Sequence, residues 1–233
     1  MKRNYVLLVC ISMSILFTQC KKDDGGTTPD PVPAKDYMPV TTGSTFTYQN
    51  TTGANVSTYT LTVRATDTVA NAKTYKVFTS TDGVSRYRAK VGTDYYQLAA
   101  FPNLNIASFE NLYLKETAAI NTTWADLIPF ANPTDPTQTL TATLTSKMME
   151  KGISYTVNGK AYENTIHVKL SISLSIPIPG IPFPITVDLG GGDMYYALGV
   201  GMIKNSLNIS SSNPLITFPP FSTEDILTAY VIK

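Results

Sequence analysis

The chain has very few of the side chains that carry most enzyme chemistry. Its 233 residues include one His, two Cys, one Trp and only five Glu. Both Cys lie within the first 20 residues, so the rest of the chain has no thiol for a nucleophile, a disulfide or a thiolate–metal bond. A zinc site normally needs several His or Cys ligands. These shortages argue against thiol, zinc and His-based catalytic centres.

Net charge is also nearly absent. The 18 Lys and Arg residues oppose 17 Asp and Glu residues, for a formal net charge of +1. Residues 1–19 have the features of a removable signal segment, and their loss would take away Lys2 and Arg3 and leave a charge of −1. A nearly neutral chain offers no basic surface for a phosphate backbone, so we expect no nucleic-acid partner.

Residues 1–19 have the pattern of a bacterial secretion signal. Lys2 and Arg3 precede an apolar run from Tyr5 to Phe17. A helix needs about 20 apolar residues to cross a bilayer, and this run is shorter. The segment therefore predicts a signal peptide that is removed from the mature protein.

The end of this segment, Phe17-Thr18-Gln19-Cys20, resembles a lipobox, in which the Cys is acylated after cleavage. Phe17 and Gln19 replace the usual Leu and small residue, a relaxation common in the Bacteroidota. Lys21–Asp24 resembles the acidic signal that exports their lipoproteins to the outer face of the outer membrane. The resemblance implies a palmitate-bearing lipid anchor at Cys20, with the membrane as its partner. The implied location is the outer membrane at the cell surface, with the periplasmic face as the alternative.

The remaining chain divides into a tether and a β-rich domain. Residues 20–36 combine the lipidated Cys with a stretch of Gly, Thr, Pro and charged residues that contains no aromatic residue, which predicts a flexible tether. Residues 37–233 alternate apolar and polar side chains with period two, as β-strands do. Three runs each place one set on a single face: Tyr59, Leu61, Val63 and Ala65; Tyr75, Val77 and Thr79; Leu140, Ala142 and Leu144.

Turn signals separate the predicted strands. The strongest, Asn158-Gly159, predicts a type I′ hairpin. We therefore predict an all-β fold, a curved antiparallel meander that forms a half-barrel or barrel over residues 37–233. Short helical turns are expected only near Phe101–Phe109 and Trp124–Phe130.

Two motifs resemble those of a family of uncharacterised Bacteroidota outer-membrane and surface lipoproteins. The segment Tyr37–Tyr48 is similar to their start, Tyr-x-Pro-Leu-x-x-Gly-x-x-Trp-x-Tyr, with Phe46 where Trp is usual. Tyr195–Lys204 is similar to their Tyr-Tyr-Ala-x-Gly-Val-Gly-x-Ile-Lys strand pair. The resemblance implies an envelope lipoprotein and carries no catalytic residues.

The segment Leu170–Leu189 is the first candidate site. Its apolar residues keep one face on either side of Pro179-Gly180, and its four prolines cannot donate to a sheet. One interpretation is a protruding finger that contacts lipid, a partner or an apolar ligand. The alternative is a flap folded over an open barrel end or a proline-protected edge, since most apolar strand faces belong to the core. The candidate contact residues are Ile176, Ile178, Ile181 and Phe183.

The second candidate site uses tyrosines beside aspartates, because exposed aromatic rings can stack on sugars. The candidate glycan contacts are Tyr95, Tyr96, Tyr195 and Tyr196, and ordinary strand packing is the alternative. His167 alternates with apolar neighbours and is expected to be a solvated strand residue. Asp188–Asp193 lacks the spacing of a calcium loop and predicts a flexible turn.

Together these features predict a lipid-anchored cell-envelope protein with a non-catalytic binding or structural role, in which the favoured ligand is apolar or a lipid. A glycan-binding or adhesion module is the alternative. A hydrolase is a lesser alternative, since paired carboxylates can hydrolyse glycosides but no active-site motif accompanies them. We expect no metal and no cofactor, and the sequence leaves the oligomeric state open.

Overall fold

A computed structural model of the chain describes residues 36–101, 106–132, 135–178, 180, 182–213 and 216–233. Cys20, the signal segment and the tether as far as residue 35 lie outside the described residues. The described residues form an all-β fold, as predicted. Twelve antiparallel strands make one sheet that curls into a nearly closed barrel.

The strand bounds, in chain order, are β1 (Thr45–Thr52), β2 (Asn55–Ala70), β3 (Lys73–Ser80), β4 (Arg86–Val91), β5 (Asp94–Phe101), β6 (Ile106–Lys115), β7 (Thr123–Asn132), β8 (Asp135–Val157), β9 (Lys160–Ile176), β10 (Ile185–Ala197), β11 (Gly201–Asn213) and β12 (Ile216–Val231). The order across the sheet is β6-β5-β4-β3-β2-β1-β12-β11-β10-β9-β8-β7. Neighbours in the sheet are therefore neighbours in sequence, except where β1 meets β12.

Strands β1 and β12 join the two halves of the meander. Their register runs from Thr45 opposite Val231 to Thr52 opposite Thr223. On β1 the apolar side chains Phe46 and Tyr48 are 4% and 1% exposed, whereas the threonines between them are half-buried. This alternation directs one face of the strand into the barrel core.

One end of the barrel, here called the plugged end, is covered by residues 36–44. Tyr37 and Met38 are buried there against the core of the barrel. The Tyr37 hydroxyl donates to the Asn164 carbonyl at 3.1 Å, and the Gly199 N–H donates to the Asp36 carbonyl at 2.7 Å. The segment that begins the predicted domain therefore closes one end of the barrel.

The two edge strands, β6 and β7, meet at a seam that side chains bridge. No backbone ladder joins these strands over their described residues. Instead, the Trp124 indole Nε1–H donates to the Leu112 carbonyl at 2.6 Å. The Asp126 Oδ2 atom accepts from the Leu112 N–H at 3.0 Å and from Asn111 Nδ2 at 2.8 Å. The two bonds to Leu112 satisfy backbone groups of β6 that a twelfth ladder would otherwise pair.

The opposite half of the barrel has its own apolar cluster, made largely by the long strands β8, β9 and β10. Leu140, Ala142 and Leu144 are buried, as the alternation predicts. They pack with Ile172 and Leu174 of β9. The threonines and serines between them are half-buried or exposed, so these strands have one apolar and one polar face.

Three sequence expectations about local structure are wrong. Trp124–Phe130 lies in β7 rather than in a helical turn. In the range Phe101–Phe109, Phe101 ends β5 and residues 106–109 belong to β6, while residues 102–105 lie outside the described residues. Asp188–Asp193 lies inside β10 rather than in a flexible turn. An ideal Cβ on Gly191 would lie 2.0 Å from a carbonyl oxygen of a neighbouring strand, and one on Gly192 would lie 1.7 Å from another. Only glycine, which has no Cβ, therefore fits at these two positions of the strand.

The third error concerns the faces of β2 and β3. Their pairing shifts between Val63 and Asp67. Tyr75 and Phe78 are both buried although they point to opposite faces of β3, because Phe78 packs on the core and the Tyr75 hydroxyl donates to Glu110 of β6. The face that Tyr75, Val77 and Thr79 share is therefore not the face of β3 that packs on the core.

We predict that the seam contributes measurably to stability. Asp126→Ala leaves the Leu112 N–H and the Asn111 amide without their acceptor, and should lower the free energy of unfolding by about 1–3 kcal/mol. Urea denaturation monitored by Trp124 fluorescence would measure this. The control is Asp67→Ala, which removes a partly exposed ion pair with Lys76 and should cost under about 1 kcal/mol. Equal losses in the two variants would contradict a special role for the seam.

Candidate functional site

A cavity of about 610 Å³ lies inside the barrel. Its volume falls within the roughly 300–1,000 Å³ typical of small-molecule sites. Its wall is built by β2, β4, β5, β6, β10, β11 and β12. The apolar part of the wall includes Tyr59, Met194, Tyr196 and Met202, and the polar part includes Arg86, Arg88, Gln97, Asn205 and Asp225.

The cavity opens away from the plugged end. Val84, in the connection from β3 to β4, borders the cavity and is 60% exposed. Ala100 and Ser108, near the adjoining ends of β5 and β6, also border it and are exposed. In an antiparallel meander these positions lie at the barrel end opposite residues 36–44. We call this end the mouth.

Arg88 is the most unusual residue of the cavity wall. It lies on β4 directly opposite Gln97 of β5. Protein surrounds the side chain, but part of its surface remains accessible because it borders the cavity. The guanidinium carbon lies 5.3 Å from the centre of the Phe78 ring, within range of a cation–π contact.

Four tyrosines surround the Arg88 guanidinium. Burial by itself lowers the pKa of Arg88. The net pKa is nevertheless raised, because four nearby tyrosines would attract the guanidinium charge once their hydroxyls ionise in alkali, namely Tyr113, Tyr48, Tyr196 and Tyr59. Arg88 has no ion pair within 4 Å among the described residues. The barrel interior thus holds a permanent cation whose neighbours are neutral phenols.

The other two charged residues of the wall already have partners. Arg86 forms an ion pair with Asp82 at 2.8 Å. Burial raises the pKa of Asp82, but hydrogen bonds from Arg86 and from the Val84 N–H outweigh this effect and lower the pKa to about 2. Asp225 accepts from Asn50 Nδ2 at 2.8 Å and from the Tyr59 hydroxyl at 3.1 Å, and Asn205 Nδ2 lies 3.3 Å from its second oxygen.

A row of polar side chains connects the cavity with the seam. Gln97 Nε2 donates to Asn111 Oδ1 at 3.1 Å, and Asn111 in turn donates to Asp126. Asn111 is 6% exposed, so its hydrogen bonds compensate for burial of its amide. The same side chains that bridge the two edge strands therefore also position one wall of the cavity.

The predicted glycan contacts do not form one exposed surface. Tyr95 and Tyr196 are 0% and 4% exposed, because both point into the barrel. The Tyr95 hydroxyl bonds to Asp36 and Glu116 at 2.9 Å each, close to the plugged end. Tyr96 is half-buried beneath Lys73, whose Nζ lies 4.4 Å from the ring centre. Of these residues, only Tyr196 lines the cavity.

Tyr195 belongs instead to a stack of three rings outside the cavity wall. Its ring centre lies 3.9 Å from that of Tyr155 and 4.3 Å from that of His167. His167 is not a freely solvated residue as expected: its ring nitrogens contact Glu150 at 3.1 Å and Asp193 at 2.7 Å. The stack links β8, β9 and β10 across their outward faces.

The residues predicted to form an apolar finger have different environments. Ile176 is 8% exposed and packs into the apolar cluster of β8–β10, which is the core alternative for this segment. Ile178 is half-buried and Phe183 is 75% exposed, while Ile181 lies outside the described residues. Ile176, Ile178 and Phe183 do not line the 610 Å³ cavity.

Sequence reasoning missed Arg88 as a site residue. A signal for it was present, because Arg86, Arg88 and Lys90 alternate along a short strand between two turn signals. Such a row of cations is usually a solvated face of a strand. Only the closure of the barrel shows that Arg86 and Arg88 border an interior space.

Over the described ranges, no three His, Cys, Asp or Glu side chains come together in a group that could hold a metal ion. In that same part of the chain there is also no helix with the length and apolar character needed to cross a membrane.

Comparison with known proteins gives one structural likeness. The crystal structure of a predicted lipoprotein from Parabacteroides distasonis aligns with 85% of this chain and 99% of that chain, at 11% sequence identity and a TM-score of 0.49. No protein-family model matches the sequence, and no curated protein is similar to it.

We predict that the interior tyrosines make the fold sensitive to alkali. Burial raises the pKa of Tyr48 to about 12, and burial also raises the pKa of Tyr59, Tyr113 and Tyr196. An unfolded Tyr ionises near pH 10, so the unfolded chain releases protons first. The stability that these groups contribute is fully present below about pH 10 and is lost as pH rises through the folded pKa, which for Tyr48 is about 12.

Tyrosinate absorbance against pH, measured in native buffer and in urea, tests this. The native protein should ionise fewer of its 14 tyrosines near pH 10 than the unfolded protein. In Tyr48→Phe the free energy of unfolding should fall less steeply between about pH 10 and about pH 12. Identical titrations in both solvents would contradict burial of these phenols.

Proposed function

We propose that this protein is anchored by lipid at Cys20 in the outer membrane and that its barrel binds a small, partly apolar organic ligand without catalysis. The observation that carries the binding role is the cavity of about 610 Å³, with aromatic and thioether side chains on part of its wall and polar ones on the rest. Small-molecule sites usually combine an apolar lining with a few polar groups in this way.

The proposed tether and the opening of the cavity lie at opposite ends of the barrel. The proposed tether joins the described domain at Asp36, which is held at the plugged end by Tyr95 and by an ion pair with Lys90 at 2.9 Å. The mouth is at the other end of the barrel, so the point of attachment does not obstruct it. We place the domain at the cell surface, with the periplasmic face as the alternative.

A ligand inside the barrel is favoured over a glycan on an aromatic platform. Tyr95 and Tyr196 are buried, and both stacking partners of Tyr195 already contact its ring. An aromatic sugar platform needs open ring faces. In this proposal the ligand binds in the cavity between β4–β6 and β10–β12, rather than at the candidate contact residues of Leu170–Leu189.

The anchor is tested by labelling cells with a palmitate analogue. Cys20→Ala should abolish incorporation into this protein, because it removes the thiol that is acylated. Cys10→Ala is the matched control and should label normally, because residue 10 lies in the segment predicted to be removed. Undiminished labelling of Cys20→Ala would contradict the anchor.

Ligand binding is tested with the neutral fluorescent probe N-phenyl-1-naphthylamine and the domain from residue 36 onward attached to its native tether. Ala99, which borders the cavity, lies two residues from Gln97 and so shares its face of β5. Ala99→Phe should fill part of the cavity and weaken probe binding by at least about tenfold, the equivalent of 1.4 kcal/mol.

Ala229→Phe is the control, because Ala229 is exposed on β12 and does not border the cavity. It should bind the probe as the unmodified protein does. Absence of probe binding to the unmodified protein, or equal weakening by both substitutions, would overturn the proposed binding role.

A further inference from the structure

We infer that the ligand of this cavity is an amphipathic organic anion whose negatively charged group binds Arg88. This inference rests on the proposed binding function and names the class of ligand. The charged group would be a carboxylate, sulfonate or phosphate, each of which can accept two hydrogen bonds from a guanidinium. The remainder of the ligand would be apolar.

The first argument is the state of Arg88 itself. A guanidinium remains protonated inside a protein, and an enclosed cation is costly unless it is paired or hydrogen-bonded. Arg88 borders the cavity and has no carboxylate within 4 Å among the described residues. An anionic ligand would supply the missing charge at the place where the cavity provides room for it.

The second argument is that the other charges of the wall do not need a ligand. Arg86 is bound by both oxygens of Asp82, with Nη2 at 2.8 Å from Oδ2 and Nη1 at 3.3 Å from Oδ1. Asp225 has three neutral donors, from Asn50, Tyr59 and Asn205. Asp225 therefore has its acceptor oxygens occupied, whereas Arg88 is the cation of this wall that has no carboxylate within 4 Å among the described residues.

The third argument comes from the phenols around Arg88. The Tyr48 hydroxyl donates to the Met202 carbonyl at 2.8 Å, the Tyr59 hydroxyl donates to Asp225, and the Tyr196 hydroxyl points to Met194 Sδ at 3.3 Å. Their protons are thus directed at other acceptors. Neutral phenol oxygens can solvate Arg88 in part, but they cannot neutralise it.

The apolar part of the ligand follows from the rest of the wall. Met194, Tyr196 and Met202 border the same cavity as Arg88. Methionine side chains are unbranched and polarisable, so they adapt to apolar groups of varied shape. A cation within such a wall is complementary to an anion that carries a hydrocarbon or aromatic body.

A matched pair of probes tests the inference. 8-Anilinonaphthalene-1-sulfonate differs from N-phenyl-1-naphthylamine by its sulfonate group, so the comparison isolates the charge. The unmodified protein should bind the sulfonate more tightly than the neutral probe. Arg88→Gln should weaken sulfonate binding by at least about tenfold while neutral-probe binding changes by less than about threefold, because only the charge-assisted bonds are lost.

Arg86→Gln is the matched control in the same wall. Since Arg86 is already paired with Asp82, its loss should weaken sulfonate binding much less than the loss of Arg88. Equal binding of the two probes by the unmodified protein, or equal effects of Arg86→Gln and Arg88→Gln, would overturn the anionic ligand while leaving cavity binding intact. Failure of both probes to bind would instead overturn the proposed function.

The fold of Arg88→Gln is checked by its urea midpoint and by its retained binding of the neutral probe. Competition against the bound sulfonate probe then distinguishes an amphipathic anion from a neutral amphipathic molecule and from a simple anion. Decanoate should displace the bound sulfonate probe, whereas 1-decanol and inorganic phosphate at the same concentration should not. Displacement by inorganic phosphate alone would show that a simple anion suffices and would overturn the amphipathic ligand.

Discussion

The pairing of β1 with β12 is the interaction on which the rest of the barrel depends. Every other ladder of the sheet joins strands that are consecutive in the chain, so hairpins could form each of them locally. Only the β1–β12 ladder brings the two ends of the domain together, from Thr45 opposite Val231 onward. Once it forms, the sheet has just two edges, β6 and β7, and its curvature brings these edges face to face.

Closure at those edges creates an interior in which polar groups need partners. Trp124 and Asp126 satisfy backbone groups of β6 across the seam, and Asn111 and Gln97 extend this network into the cavity wall. Arg88 lies directly opposite Gln97 on the next strand. The network therefore supports both closure of the barrel and the wall from which Arg88 faces the cavity. The polar groups of such an interior all need hydrogen-bond partners, because a buried polar group without a partner destabilises the fold more than an apolar group in its place would.

Local features of the fold followed from local sequence. Asn158 and Gly159 both have positive φ, 49° and 76°, and connect β8 to β9 as the Asn-Gly hairpin prediction requires. The alternation at Tyr59, Leu61 and Val63 correctly identifies buried positions, but Ala65 beyond them is exposed because the β2–β3 register shifts after Val63. Such a bulge depends on what the distal part of the hairpin packs against, and alternation alone does not contain that information.

The candidate site was the part that sequence could not locate. Its wall combines residues from β2, β4, β5, β6, β10, β11 and β12, so Tyr59 and Asp225 lie far apart in the chain and become neighbours only through the β1–β12 ladder. Tyr196 was singled out as an exposed ring and is instead part of the buried wall. Whether a strand residue faces water or an enclosed space depends on the sheet's curvature, which arises from all twelve strands together.

The sequence by itself determined the class of fold, the position of the Asn158-Gly159 turn and the apolar faces of β1 and β8–β10. It did so because side-chain alternation and turn chemistry act over a few residues. It also carried the prediction of a lipid anchor at Cys20. The tertiary structure alone decided which end of the barrel is plugged and that β6 and β7 meet through side chains. It also decided that Arg88 borders a cavity with no carboxylate of the described residues within 4 Å. These features depend on contacts between distant strands, and the free energy of an enclosed charge is set by its surroundings in three dimensions rather than by its neighbours in sequence.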